Sequence, residues 1–180
     1  REDIAGLAEI RGRADQARSA QEVWRRYTLT ERVQRVRRFW AQIDRQRDRV
    51  ARVLHDETGK PPAEIEILEL GVLEIVVRYF TGNAHRILKE RPVAKPWFLF
   101  NKRPYVRNVP RGVVGVVTPW NLPLLLPLGD AFPALLAGNA VMLKPSEWAS
   151  RTLLFIEQLA VASGEFPQGL FQVVTGGATA

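Results

Sequence analysis

Apolar and charged residues interleave along residues 29–60 with the period of a helix. In "LTERVQRVRRFWAQIDRQRDRVARVLHDETGK" the apolar positions Val33, Val36, Phe39, Trp40, Ile43, Val50, Val53 and Leu54 recur at helical intervals, with arginines mostly between them. Thr28 and Glu31 have the spacing of a capping box, which satisfies the free amides where a helix starts, and Gly59 and Pro61 supply the stop. The pattern predicts one long amphipathic helix. A second helix is expected from Pro62, whose fixed φ suits a first turn. Its predicted buried stripe is Ile65, Leu68, Val72, Ile75, Val76, Tyr79 and Phe80, with Glu64, Glu66, Glu69 and Arg78 falling largely elsewhere.

Beyond these helices the period changes. Between Arg91 and Arg111, four prolines interrupt alternating aromatic and basic residues, which reads as extended or edge-strand chain because proline donates no ladder hydrogen bond. An apolar edge such as "WFLF" is either covered by the fold or used for subunit pairing. From Gly112, "GVVGVVT" is a β-branched run without polar alternation, as expected of a parallel strand buried on both faces. A helix from Leu122, a strand from Ala140 to Lys144, a helix from Ser150 to Gly164 and a strand from Gly169 to Gly176 complete the series. The fold class is therefore α/β, with N-terminal helices followed by a doubly wound parallel sheet with right-handed crossovers. Ligands of such sheets sit off the carboxyl ends of the strands, here at "TPWN", "KPSE" and "TGGATA".

Composition narrows the function classes. The chain has 180 residues, 46% of them hydrophobic, enough for one domain with a core or a piece of a larger one. No apolar run approaches the roughly 20 residues that span a bilayer, and the charged N-terminus is unlike a secretory signal, so the expectation is a cytoplasmic protein without membrane contact. Without any cysteine there is no disulfide framework, thiolate metal site or cysteine nucleophile in this chain, and His55 and His85 stand alone, so no metal is expected. Arg1 to Arg52 holds 14 Arg and no Lys against 8 Asp and Glu. Such a basic third could bind nucleic acid, but the arginines follow the polar face of an amphipathic helix and no aromatic residues interleave them for stacking. No nucleic-acid partner is expected, and steeply salt-dependent affinity for DNA or RNA would be the sign of one.

The loops carry the candidate chemistry. In "TPWN", Pro119 sets the direction in which the chain leaves the strand, Trp120 offers an apolar plane, and Asn121 offers a neutral amide donor. An amide aimed at a reacting carbonyl stabilises a developing oxyanion by about 3 to 4 kcal/mol. Equally, Asn121 could cap the helix starting at Leu122, which from spacing alone is the commoner use. In "KPSE", Lys144 offers a cation and Glu147 two acceptor oxygens suited to ribose hydroxyls, or Ser146 and Glu147 simply begin a helix, with the carboxylate against its dipole.

In combination these segments are more specific. The order "PRGVVGVVTPWN", "PALLAGN", "LKPSE" within Pro110 to Ser150 resembles the aldehyde dehydrogenase superfamily, and "TERVQRVRRF", "DETGKP" and "FPQGLFQVVTG" extend the likeness more weakly to both sides. The resemblance implies a Rossmann-like, incomplete dinucleotide-binding sheet. Residues 1–98 would be the helical part of the cofactor-binding domain, 99–110 an extended segment of a bridging or oligomerisation hairpin whose "FLFNKRPYVRNV" pairs with chain lying elsewhere, and 111–180 the first strands. Val117, Thr118, Pro119 and Trp120 would line NAD(P), with Lys144, Ser146 and Glu147 at the adenosine ribose and Gly176 beneath the adenine. Asn121 would be the oxyanion donor. A carboxylate at Glu147 repels a 2′-phosphate, which favours NAD over NADP.

Departures from the family pattern bear on the substrate. Leu122 stands where many members carry Phe, and with Leu125 and Leu126 on the same predicted helical face it suggests a wider aliphatic tunnel mouth. Asp130 stands where many carry Lys, as in a subgroup that includes succinate-semialdehyde dehydrogenases. The family's Gly-rich loop after the next strand, its nucleophilic cysteine and its general-base glutamate are not in this sequence. The start at Arg1 and the stop within "TGGATA" lead us to expect a fragment, inactive alone, of a protein that oxidises aldehydes as a homodimer or homotetramer. The alternatives are a non-catalytic nucleotide-binding or assembly module of the same fold, or a reductive member acting on acyl-CoA or acyl-phosphate.

Overall fold

The computed structural model describes residues 6–94 and 96–176. Helices α1 (Leu7–Trp24), α2 (Leu29–Arg45) and α3 (Arg47–Thr58) come first. They are followed by the short α4 (Pro62–Glu64), which runs through a π-helical turn (Ile65–Gly71) into α5 (Val72–Leu88). Strands β1 (Arg91–Pro92) and β2 (Tyr105–Val106) then form a small antiparallel ladder with a 3₁₀ turn (Trp97–Leu99) between them. The rest alternates as β3 (Val113–Val117), α6 (Leu125–Leu136), β4 (Ala140–Lys144), α7 (Arg151–Ser163) and β5 (Phe171–Val173). Strands β3, β4 and β5 lie parallel in that order, with β4 in the centre.

The expected long helix is two. Thr28 and Glu31 form the capping box as expected, and Val33, Val36, Phe39 and Ile43 are buried along α2. From Asp44 to Arg49 no apolar residue continues the stripe, and the chain leaves helical geometry at Gln46 (φ −102°, ψ 14°) before Val50 and Leu54 resume burial in α3. Arg47, at the break, is held by Asp44 and by Glu66 of the π turn.

The second predicted stripe is out of phase. Ile65, Glu69, Leu70, Leu73, Val77, Thr81 and Ala84 face the core, whereas Leu68, Ile75 and Tyr79 are exposed. The π turn admits an extra residue per turn and so rotates the face presented by α5. It depends on Gly71, because a β-carbon there would lie 2.9 Å from the carbonyl oxygen of Glu66. A charged residue, Glu69, occupies a core position that a search for apolar periodicity passes over.

Period two separates the faces of the sheet. Val116 is buried on the side of α6 and α7, against which α2 also packs, while α1 brings Ile10 to Val113, Gly115 and Val117 on the other. Helices therefore cover both faces, although Val117 is 76% exposed at the end of β3, where burial on both faces was expected. Phe39 is the hub of the core, in ring contact with Phe132, Phe166 and Phe171. Trp24, fully buried, donates its indole N–H to the carbonyl of Leu135 (2.9 Å).

Most of the described arginines of the basic third are exposed, as expected of a solvated face, but several also fasten layers together. Arg13 donates to the carbonyl of Val173, Arg32 to those of Leu136 and Tyr27, and Arg35 to that of Glu165, while Arg38 grips the Glu165 carboxylate with two bonds. The apolar edge is different again. β2 pairs along one edge with β1 inside this chain, and Trp97 between them is 89% exposed.

Candidate functional site

The carboxyl ends of β3 and β4 lie side by side. Val117 is opposite Lys144 in the ladder, and the Thr118 amide donates to the carbonyl of Lys144 (3.1 Å), so "TPWN" and "KPSE" diverge from one point. Neither loop enters its helix at once. After Asn121 the chain turns through residues 121–124 before α6 begins at Leu125, and after Glu147 it turns before α7 begins at Arg151. Hence the two capping readings are corrected: Asn121 does not cap α6, and Ser146 and Glu147 do not begin α7.

Both helices are capped from a distance. The Glu69 carboxylate accepts the amides of Leu124 (3.2 Å) and Leu125 (2.9 Å) at the start of α6. Glu57, at the end of α3, accepts the amides of Arg151 (2.6 Å) and Thr152 (2.9 Å) and the Thr152 hydroxyl (2.6 Å) at the start of α7. Helix N-termini are natural anion sites, since their first amides are unpaired and the dipole is positive there. Here both are filled by carboxylates of the fold, so a ligand phosphate meets no open helix end at either loop.

Glu69 is itself neutralised. Its side chain is fully buried and accepts from the Lys60 ammonium at 2.6 Å, while Lys60 also donates to the backbone oxygen of Asn121 at 2.5 Å. No hydrogen bond is made to the Asn121 side-chain amide among the described residues, and Asn121 is exposed. Lys144 reaches only the carbonyl of Pro145 (3.3 Å), Ser146 accepts the Trp148 amide (3.3 Å), and Glu147 is exposed without a partner among the described residues. Trp120 and Trp148 are 62% and 76% exposed. The Thr118 hydroxyl is buried with no hydrogen-bond partner among the described residues.

An apolar groove of about 270 Å³ runs beside these loops, lined in part by Ile10, Gly115, Val117, Met142, Lys144 and Val174. Gly176 is buried just past β5, and the remainder of "TGGATA" beyond it lies outside the described residues. Leu122 precedes α6, so it does not share a helical face with Leu125 and Leu126, a correction to the sequence expectation; all three are half-buried. At the third strand, Glu157 of α7 accepts the Val173 amide (2.9 Å), and burial raises its carboxyl above the usual range against the opposing pull of that amide and Arg13.

Sequence reasoning found no sign of the roles of Lys60, Glu69 and Glu57, whose loop and helix-start partners lie 55 to 95 positions away. It also gave no role to Asn139, which accepts the amides of Arg111 (2.6 Å) and Gly112 (3.1 Å) and donates to the carbonyl of Ala134 (3.0 Å). That side chain ties the start of β3 to the end of α6. Its signal was the buried amide in "PALLAGN", directly after Gly138, which takes positive φ (91°) and ends the helix.

The parallel sheet, with uncommitted polar and aromatic side chains gathered at its carboxyl edge, is of the doubly wound α/β class, whose ligands bind at that edge. The profile of the aldehyde dehydrogenase family matches residues 4–180, and the chain belongs to that family. It is 35% identical to glutarate-semialdehyde dehydrogenase of Pseudomonas aeruginosa, covering 96% of this chain and 35% of the relative. It is 34% identical to the NADP(+) succinate-semialdehyde dehydrogenase of Escherichia coli, covering 97% and 35%. Its fold superposes on PnpE in complex with nicotinamide adenine dinucleotide with a TM-score of 0.87 at 28% identity, over 96% of this chain and 34% of PnpE. The chain thus spans about a third of the length of the curated relatives it matches. Among the described residues no helix is long and apolar enough to cross a membrane, and no cluster of His, Asp and Glu could hold a metal.

Proposed function

We propose that this chain is the cofactor-binding portion of an NAD(P)-dependent aldehyde dehydrogenase, in which residues outside it supply the cysteine nucleophile and the general base. The observation that carries the reading is the convergence of "TPWN" and "KPSE" at one point on the sheet edge, with both helix starts behind them filled by carboxylates and the side chains of Asn121, Lys144 and Glu147 left for a ligand. The residues fit a dinucleotide. The orphan Thr118 hydroxyl lies at the point where the backbone of Val117, Thr118 and Pro119 would line the cofactor, and the exposed ring of Trp120 offers it an apolar plane. Lys144, Ser146 and Glu147 would hold the ribose hydroxyls, and Gly176 would let the adenine approach closely.

Bound NAD(P) supplies the hydride acceptor. The chain's own part is to orient that cofactor and to donate the Asn121 amide to the carbonyl oxygen as a thiolate adds to the aldehyde, when negative charge develops there. Leu122, Leu125 and Leu126 would form an aliphatic wall of the substrate entrance. The semialdehyde enzymes among the relatives support an ω-functionalised aldehyde as substrate. Residues 1–98, 99–110 and 111–180 keep their proposed division into helical part, bridging segment and first strands, and the assembly is a homodimer or homotetramer in the cytoplasm. Glu147, exposed and unpaired among the described residues, favours NAD, because a carboxylate repels the 2′-phosphate of NADP.

The test follows reduced-cofactor absorbance when the natural protein meets glutarate or succinate semialdehyde with NAD or NADP, and compares Glu147→Gln. Turnover with NAD, and a shift toward NADP in the variant, is the expected result. Cofactor binding without turnover of any aldehyde would favour the non-catalytic module, and turnover only of an acyl-CoA or acyl-phosphate with reduced cofactor would favour the reductive variant.

A further inference from the structure

We propose that Lys60 is a positioning residue for the reaction, holding Asn121 in register for the oxyanion through the Asn121 backbone oxygen; the proposal rests on the reading of Asn121 as oxyanion donor. The lysine follows Gly59, which takes positive φ (72°) and ends α3 through its bond to the carbonyl of His55, so the start of its side chain is fixed by a helix end. Its ammonium has three donors to place. One goes to the fully buried Glu69 at 2.6 Å and one to the Asn121 carbonyl at 2.5 Å, while Glu64 stands at 3.6 Å as a weaker ionic partner. The Lys60 side chain is only 13% exposed.

The geometry grips the loop at two points with opposite charges. The cation holds the carbonyl of Asn121, and the anion it neutralises holds the amides of Leu124 and Leu125. The peptide groups on either side of the turn are thereby fixed against one buried ion pair, while the Asn121 side-chain amide has no partner among the described residues. That division suits a donor which must lie within tenths of an ångström of a developing oxyanion yet stay uncommitted beforehand. Stability alone does not require it, because a buried ion pair is commonly matched or exceeded by an apolar pair of similar volume. Lys60 spends a donor on a loop carbonyl, where it adds order to one peptide group and nothing to the core.

The test is a double-substitution cycle in the natural protein with Lys60→Met, Asn121→Ala and both, read as the single-turnover rate of hydride transfer together with the dissociation constant for NAD. Asn121→Ala is expected to slow hydride transfer by about 10²- to 10³-fold. Lys60→Met is expected to slow it by roughly tenfold to a hundredfold, with NAD affinity unchanged, as for a misplacement of under about 1 Å. In the Asn121→Ala background the lysine substitution should then cost less than about twofold, since the group it positions is gone. If the two losses multiply, or if Lys60→Met leaves the rate unchanged, Lys60 does not act through Asn121 and the proposal is overturned while the oxyanion reading stands. If Asn121→Ala alone leaves the rate unchanged, the oxyanion reading falls, and the proposal with it, on an arm that does not involve Lys60. Should Lys60→Met fail to fold, Lys60→Gln, which keeps one donor, enters the same cycle and the same outcomes decide.

Discussion

The loops after β3 and β4 share a plan and differ in depth. Each leaves a parallel strand, turns, and enters a helix whose first amides are held by a carboxylate from the helical layer, Glu69 for one and Glu57 for the other. Glu69 is wholly buried and paired with Lys60, which also grips the loop itself, whereas Glu57 is half-exposed and, among the described residues, accepts hydrogen bonds only from the helix it caps. The loop proposed for the reacting carbonyl is gripped by a buried ion pair on both sides of its turn; the loop proposed for the ribose is gripped by a carboxylate only at the helix start behind it. A ribose contact tolerates adjustment of a flexible carboxylate, but a donor to a transition state does not.

Three changes probe this contrast. Glu69→Ala should destabilise the fold most, by about 3–5 kcal/mol in urea unfolding, because it strands the Lys60 charge and two amides in a dry place. Gly71→Ala should cost about 1–3 kcal/mol, since a β-carbon 2.9 Å from the Glu66 oxygen must displace the π turn that carries Glu69. Glu57→Ala should cost about 1–2 kcal/mol, because water can replace part of a half-exposed cap. Equal losses at Glu57 and Glu69 would erase the distinction between the two loops.

The smallest effect belongs to the third strand end. Burial raises the Glu157 carboxyl, so the folded chain still holds this proton at pH values where the unfolded chain has released it. The stability Glu157 contributes should therefore fall as pH rises between the unfolded and folded values and stay level above them. Glu157→Gln should remove that slope in unfolding curves recorded across the acidic range.

What the chain disclosed in advance was local. The capping box of Thr28 and Glu31, the αL glycines Gly59 and Gly164 and the strand Ala140–Lys144 stand where the spacing placed them, because each is decided within a few residues. Helix α1 escaped notice because its buried positions are Ala17, Ala20, Gln21 and Trp24, two small residues and an amide among charges. Asn121 and Glu147 were legible as candidate chemistry, whereas their capping alternatives failed, since the caps that settle the matter come from Glu69 and Glu57 far along the chain. Nothing near Glu69 in the sequence marks it as buried; the π turn and a lysine nine positions earlier make it so.

The central claim is that the convergent loops hold a dinucleotide, and calorimetric titration of NAD into the natural protein tests it most directly, with Lys144→Ala and Glu57→Ala alongside. The account predicts saturable binding that weakens by about tenfold or more in Lys144→Ala, the loss of one charge-assisted hydrogen bond, and far less in Glu57→Ala. No binding, or binding indifferent to Lys144, would contradict it.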